Sequence, residues 1–422
     1  VTTDSAPRKP KLVFVGNGMA GTRTLEELLA LTPDKYDISV IGDEHFGNYN
    51  RIMLSPVLAG EKTIESIIMN DDAWYEHHNI TFYKGERAAR IDRGRRRIST
   101  ASGLEIPYDR LVLATGSRPA RIPVPGNDLN NILTFRDISD VHDMLRLSKE
   151  KQHAAVVGGG LLGLEAANGL RAQGIHVTVV HSSPSILNRQ LDETAAKMLQ
   201  QSLSDKGIEF CLNARTVALS GDQQGDVREL HFKDGRSLQA DMVVMATGVI
   251  PNHELALNSG LPCEKGILVN DVLQTYDPAI YSVGECIQHR GAVFGLVAPT
   301  YEQAKVCANH LAEFGIARYI QQAQATKLKI TGINAFSAGD FLGDDDAEFI
   351  TLHDRALNHY KKLVISNDRL IGAVLYGDTQ DGAWLFDLIQ QKAHIHSLRD
   401  QLIFGKDFCT LETKLAALPE AA

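Results

Sequence analysis

The chain reads as an α/β protein built from two copies of one nucleotide-binding unit, followed by a smaller α+β unit. Three observations carry that expectation. Its 422 residues, at about 150 per domain, make roughly three domains. A glycine motif in a βαβ setting occurs twice, as Gly16-Asn17-Gly18-Met19-Ala20-Gly21 and Gly158-Gly159-Gly160-Leu161-Leu162-Gly163. Each copy is followed by a β-type run ending in Ala-Thr-Gly, at Ala114-Thr115-Gly116 and at Ala246-Thr247-Gly248. In a chain with 35 glycines a single GxGxxG is a weak signal. Two copies at nearly equal offsets from a second repeated triplet indicate a duplication.

Each element has a local reason. In the first copy the apolar run Lys11 to Val15 is a strand, Leu25, Leu28 and Leu29 have helical spacing, and Ile38 to Ile41 is the next strand. In the second copy Ala154 to Val157 is the strand, a helix runs through Glu165 and Leu170, and Val177 to Val180 follows. The first glycine of each motif permits a tight turn, the second lets backbone approach a pyrophosphate, and the third lets helix and strand pack closely. A phosphate then meets the positive helix N-terminus. Pro299 to Phe314 reads as a helix with proline in its first turn. From Thr326 to Gly332 onward the chain reads as α+β, with Leu363 to Ser366 and Leu370 to Tyr376 a hairpin across Asn367-Asp368.

Composition narrows the function classes. Hydrophobic residues at 44% and charged residues at 23% are globular values and exclude a disordered or fibrous chain. The net charge of −9, from 43 basic and 52 acidic residues, has the wrong sign for a nucleic-acid binder or a polybasic membrane tether. No apolar run approaches the ~18 residues of a membrane span, and Val1 to Lys11 lacks the apolar core of a signal peptide. Cys211, Cys263, Cys286, Cys307 and Cys409 are isolated and odd in number. A reduced, cytoplasmic protein with no disulfide framework is therefore expected. His77-His78 and the His394/His396 pair have no cysteine or carboxylate cluster, so no metal site is expected. Arg93, Arg95, Arg96 and Arg97 around Gly94 read as a solvated hairpin turn, and Asp344 to Asp346 as a loop.

With the two glycine motifs and the stretch Thr275-Tyr276-Asp277-Pro278-Ala279-Ile280-Tyr281-Ser282-Val283-Gly284-Glu285-Cys286, the chain resembles the FAD-dependent pyridine-nucleotide oxidoreductases of the glutathione-reductase superfamily. The resemblance implies FAD in the first copy, NAD(P)H in the second, and a return of the chain to complete the FAD domain. The expected boundaries are 1–120 with 248–325 for the FAD domain, 121–247 for the NAD(P)H domain, and 326–422 for an interface domain that in relatives often forms a dimer contact. The residues it places on the first cofactor are Gly16, Gly18, Met19, Ala20, Gly21, Asp43, Glu44, Arg51, Ser55, Ala88, Ala114, Thr115, Gly116, Gly284, Glu285 and Val297. Asp43 and Glu44 are the ribose acceptors, displaced by one from the usual strand-end position, which is Gly42. Arg51 resembles a pyrophosphate-binding arginine. Glu285 stands where most members have Asp, toward the ribityl chain, and the helix starting near Val297 points at the flavin N1/C2 edge. The residues placed on the second cofactor are Gly158, Gly160, Leu161, Leu162, Gly163, His181 and Gly248. His181, with Ser182 and Ser183 next and Arg189 eight residues on, is neither the acid of NADH users nor an immediate arginine. NADH is favoured and NADPH stays open.

Glu165 and Tyr301 are the residues the resemblance sets against the flavin–nicotinamide contact. In ferredoxin-reductase-like members the equivalent of Glu165 pairs with a lysine, whose position here is Pro56. Disulfide reductases and peroxidases of the superfamily carry redox cysteines soon after the first βαβ unit; here no cysteine precedes Cys211. Hydride taken from NAD(P)H onto FAD must then leave to an external acceptor. The stretches GNGMAG, VVGGGLLGLEAA, Gln190-Leu191-Asp192, VGEC and FGLVAP resemble the flavin portion of bacterial NAD(P)H nitrite reductase large subunits and the electron-transfer subunits of assimilatory nitrate reductase. A metalloprotein partner is implied, either a nitrate or nitrite reductase catalytic subunit or domain, or a small iron–sulfur protein. The alternatives are a ferredoxin or rubredoxin reductase and an FAD-binding interaction protein of the apoptosis-inducing-factor type. The iron–sulfur and sirohaem cysteine motifs of a complete nitrite reductase are not in this sequence, so it reads as a separate subunit or as a fragment cut near Thr410 to Ala422, where Leu411, Leu415 and Leu418 suggest a short helix.

Overall fold

The computed structural model describes residues 8–409 apart from 323, 324 and 331; Leu411, Leu415 and Leu418 lie outside the described residues. Two parallel five-stranded sheets form its centre. The first runs Ile280–Ser282, Arg110–Leu113, Lys11–Val15, Asp37–Gly42, Thr81–Lys84. The second runs Ile132–Thr134, Met242–Met245, His153–Val157, His176–Val180, Ile208–Cys211. In each, the glycine-motif strand sits between the strand leading to Ala-Thr-Gly and the second βαβ strand. The strands are apolar along most of their length because both faces are covered; Leu12, Phe14, Val156 and Val244 are fully buried. A three-stranded antiparallel sheet accompanies each copy, Ala88–Asp92, Arg97–Thr100 and Glu105–Pro107 in the first and Thr216–Gly221, Val227–Phe232 and Ser237–Gln239 in the second.

The edge strand beside the Ala-Thr-Gly strand is supplied differently in the two copies. In the second copy, Ile132–Thr134 precedes the glycine motif; in the first, Ile280–Ser282 arrives only after the second copy is finished. The chain crosses between the sheets twice, and the crossings pair antiparallel as Ser117–Pro119 with Val249–Pro251. Each repeated threonine clasps the other crossing. Thr115 Oγ1 donates to Asn252 O at 2.6 Å and Thr247 Oγ1 to Ala120 O at 2.7 Å.

The helix expected over Pro299 to Phe314 spans Val297–Leu311. It starts two residues earlier because proline needs no backbone donor anywhere in the first turn, and it packs along the first glycine helix, Met19–Leu31. The arginine hairpin differs from expectation at one residue. Arg93 is partly buried and paired: its Nε donates to Asp277 at 2.8 Å and its Nη1 to Gly260 O at 3.2 Å, pinning the hairpin to the returning chain.

The last unit is a five-stranded antiparallel sheet, Ala325–Ile330, Ile333–Gly339, Arg369–Tyr376, His359–Ser366, Glu348–Asp354, covered by the helix Gly382–Gln391. Asn367 and Asp368 both have positive φ, 50° and 58°, as a two-residue I′ hairpin turn requires. The sheet docks on the second copy. Tyr360 OH donates to Asp192 at 2.8 Å, and Tyr376 OH lies 2.8 Å from Ser202 Oγ. Asp192 also caps the helix Glu193–Ser204 by accepting from Ala195 N–H at 3.1 Å. No helix among the described residues is long and apolar enough to cross a membrane.

Candidate active site

A cleft of about 2850 Å³ runs between the two sheets, several times the ~300–1,000 Å³ of a single small-molecule site. It is walled by both glycine turns, both Ala-Thr-Gly triplets, the Gly284-Glu285 loop, the start of the helix Val297–Leu311 and the edge strand of the C-terminal sheet. Each glycine motif lies where its strand ends and its helix begins, so amide groups without helical partners face the cleft. Gly16 has φ +107°, and a Cβ there would stand 2.1 Å from Ala114 O; Gly158 has φ +129°, with 2.2 Å to Ala246 O. A side chain at Gly18 or Gly160 would meet nothing within 4 Å. Those two positions open into the cleft, a cradle in which a pyrophosphate fits both turns.

The strand-end corners are filled in opposite ways. In the first copy the turn carries Asn17 and the strand ends in Gly42, whose Cβ would lie 3.0 Å from that of Asn17. In the second the turn carries Gly159 and the strand is followed by His181, and a Cβ on Gly159 would lie 2.8 Å from the imidazole. His181 Nδ1 accepts from Gly159 N–H at 3.1 Å; burial holds the imidazole below its ordinary pKa, so it is a neutral acceptor at Nδ1. Asp43 lines the first corner. Glu44 is engaged elsewhere, accepting from Tyr49 OH at 2.6 Å and pairing with Arg51.

Along the middle of the cleft a polar chain joins the two sides. Arg51 Nη1 donates to Arg136 O at 3.0 Å, Arg136 pairs with Glu285, and Glu285 accepts from Ser117 Oγ at 2.7 Å. Arg136 escaped the sequence analysis because no motif surrounds it and its partner is far away in the chain. Gln303, fully buried, accepts from Gly284 N–H at 2.9 Å and fixes the loop that presents Glu285. Gly284 has φ +94° and abuts Ala20 of the first glycine helix. Ser55 Oγ donates to Glu165 Oε2 at 2.8 Å across the two copies. Burial pushes the Glu165 carboxyl above its usual range, against the smaller opposing effect of that bond. Ser55, one residue before Pro56, is thus the partner of Glu165. Tyr301 lines the wall with the Arg23 guanidinium 5.5 Å from its ring. Met19, Ala20, Ala88, Leu161, Leu162, Gly116, Gly248 and Val297 also line the cleft, whereas the third glycines, Gly21 and Gly163, pack against Gly16 O and Gly158 O. None of the five cysteines lines it.

A family profile described as pyridine nucleotide-disulphide oxidoreductase matches residues 10–310. The chain belongs to that family. It is accordingly an oxidoreductase whose cofactors are FAD and NAD(P)H, as the resemblance implied. Residues 325–393 match the rubredoxin NAD+ reductase C-terminal domain. Among curated relatives, nitrite reductase [NAD(P)H] of Bacillus subtilis is 46% identical over 387 residues, covering 92% of this chain and 48% of the relative. The assimilatory nitrate reductase electron transfer subunit of Bacillus subtilis is 44% identical over 396 residues, covering 94% and 51%. The chain thus spans about half the length of the curated relatives it matches. The reductase in a covalent putidaredoxin reductase–putidaredoxin complex superposes with TM-score 0.84 at 26% identity, over 98% of this chain and all of that one.

Proposed function

We propose that this chain is the electron-entry module of a nitrite or nitrate reductase of assimilation, taking hydride from NAD(P)H and passing electrons to a metalloprotein catalytic subunit or domain. The observation that carries the reading is a double-nucleotide cleft with no cysteine in its wall. Bound FAD supplies the chemistry, accepting two electrons as hydride and releasing them singly. The chain's own residues position it. The FAD site comprises the Gly16 to Gly21 turn, Asp43, Arg51, Ala88, Ala114 to Gly116 and Gly284-Glu285, together with Arg136. The Gly158 to Gly163 turn and the strand-end corner at His181 hold the pyridine nucleotide. Glu165, held by Ser55, shapes the place where the two meet, and the N-terminus of Val297–Leu311, with no acidic residue in its first turn, favours negative charge on the reduced ring. The discontinuous boundaries, 1–120 with 248–325 around 121–247, belong to this reading, as does a cytoplasmic location, where reduced pyridine nucleotide is supplied. Self-association fits it too: Phe349, Phe404 and Phe408 of the C-terminal unit are exposed, and solution mass measurement checks it.

The test is anaerobic titration of the purified flavoprotein with NADH and NADPH, then reoxidation by ferricyanide, by the nitrite or nitrate reductase catalytic partner, and by rubredoxin. A chain without flavin, or a flavin that neither nucleotide bleaches, ends the proposal. The match of 325–393 to a rubredoxin reductase domain favours a second reading, a small iron–sulfur protein as acceptor; fast reoxidation by rubredoxin alone selects it.

A further inference from the structure

We propose that the second cleft is built for a 2′-phosphorylated dinucleotide, so that NADPH is the preferred donor, and that Arg215 and Arg189 read its 2′-phosphate. This rests on the pyridine-nucleotide reading above and reverses the preference for NADH drawn from the sequence. A free ribose diol is held by a carboxylate at the end of the second strand. Here His181 stands at that place with Nδ1 committed to Gly159 N–H and Nε2 buried without a hydrogen-bond partner; Ser182 and Ser183 follow. The only carboxylate the second βαβ unit brings to the cleft is Glu165, and it is bonded to Ser55 of the first copy.

Two loops bring cations instead. The parallel pairing of Val180 with Cys211 lays the loop after Cys211 against the strand end. Ala214 N–H donates to His181 O at 2.9 Å and Asn213 N–H to Ser183 O at 3.2 Å, which sets Arg215 at the corner. The loop after Ser183 folds back under the glycine turn. Leu187 N–H donates to Gly159 O at 2.9 Å, and Asn188 Nδ2 lies 3.3 Å from Ser183 Oγ, so Arg189 follows immediately. Arg189 and Arg215 line the cleft, are exposed, and make no ion pair among the described residues. Elsewhere in the same copy Arg228 pairs with Asp222 and Asp241, and Arg236 with Asp234.

The first cleft is an internal control. There Glu86 N–H donates to Gly42 O at 2.9 Å, the counterpart of the Ala214 to His181 bond, so Arg87 holds the place of Arg215. Asp43 and Glu86 line the cleft on this side, where Gly85 N–H donates to Glu44 O at 3.2 Å; both are carboxylates in no ion pair with an arginine among the described residues and would repel a phosphate of about two negative charges. The second corner has the arginines without the carboxylates.

Two measurements on the purified holoprotein test this. Calorimetric titration should show 2′,5′-ADP binding about ten- to hundredfold more tightly than 5′-AMP, the range expected for charge-assisted hydrogen bonds to one phosphate, with the difference shrinking as salt is raised. With ferricyanide as acceptor, kcat/KM should be higher for NADPH than for NADH. Arg215→Ala, Arg189→Ala and the double variant should lower the NADPH-to-NADH ratio, the double variant by about ten- to hundredfold, and His181→Glu should lower it further. Equal binding of the two fragments, a wild-type preference for NADH, or a ratio unmoved in the double arginine variant overturns the proposal. If neither nucleotide bleaches the flavin, the underlying reading fails instead, and the two failures are distinguishable.

Discussion

The two copies share their backbone plan and differ in what occupies the corner beside the phosphate turn. Copy one places its side chain on the turn, Asn17, and leaves the strand end as Gly42; copy two leaves the turn as Gly159 and places His181 at the strand end. Each corner has room for one side chain, and the duplication filled it from opposite sides. Asn17 Oδ1 accepts from the buried Tyr75 OH at 2.5 Å, tying the first turn to its own domain, while His181 ties the second turn to its strand. The exchange also explains why the acid of the first copy is displaced by one residue: Gly42 must stay small beneath Asn17.

The comparison can be broken at several levels. The largest effects belong to what the copies share. Gly16→Ala and Gly158→Ala each force a Cβ into a backbone carbonyl at positive φ and should cost about 3 kcal/mol or more. The consequences should differ by copy. Gly16→Ala is expected to purify without flavin, whereas Gly158→Ala should keep flavin absorbance and lose bleaching by pyridine nucleotide. Next comes the exchange itself. Gly42→His or Gly159→Asn alone should cost roughly 1–3 kcal/mol in denaturant unfolding. Adding Asn17→Gly to the first, or His181→Gly to the second, should return more than half of it; additive losses would show that the corners are not complementary.

A smaller effect is expected where only one copy has a partner. Tyr360→Phe removes the bond from the C-terminal sheet to Asp192 and should lower stability by about 1 kcal/mol, with faster amide exchange in the helix Glu193–Ser204 and none of that change in the first copy. The smallest is a slope with pH. Burial raises the Glu165 carboxyl above its ordinary value, the Ser55 bond opposing, so the folded chain holds that proton more tightly than the unfolded one. The stabilisation this gives is complete below the unfolded carboxylate pKa and is lost as pH rises through the folded value. Glu165→Gln should therefore gain stability relative to wild type as pH rises above the ordinary carboxylate range, about pH 4; parallel stability curves would show that Glu165 is not desolvated.

What could be read in advance follows how local the signal is. The βαβ units, the Ala-Thr-Gly triplets, the Asn367-Asp368 turn and the return motif each lie within a short stretch whose residue types have one dominant geometry. Arg93 was misread because its partner Asp277 is 184 residues away, and Arg136 was missed because Glu285 is 149 residues away. With Pro56 in place of the family's lysine, nothing in the sequence offered Glu165 a partner, and only the course of the backbone brings Ser55 to it. The assignments of Arg51 and Glu44 to a cofactor did not anticipate that the two side chains bind each other.

By itself the sequence determined that a nucleotide unit is present twice, that the second interrupts the first, and that no cysteine stands where thiol relays of the family stand. Glycine spacing and strand patterning act over a few residues, so they survive translation into structure. Tertiary structure decided which side of each corner is filled, which acids are engaged by neighbouring side chains, and that Arg189 and Arg215, 26 residues apart, line one cleft with no ion pair among the described residues. Such outcomes depend on parallel strand register and on loops meeting across it, and a charge takes its meaning from the partners it finds there.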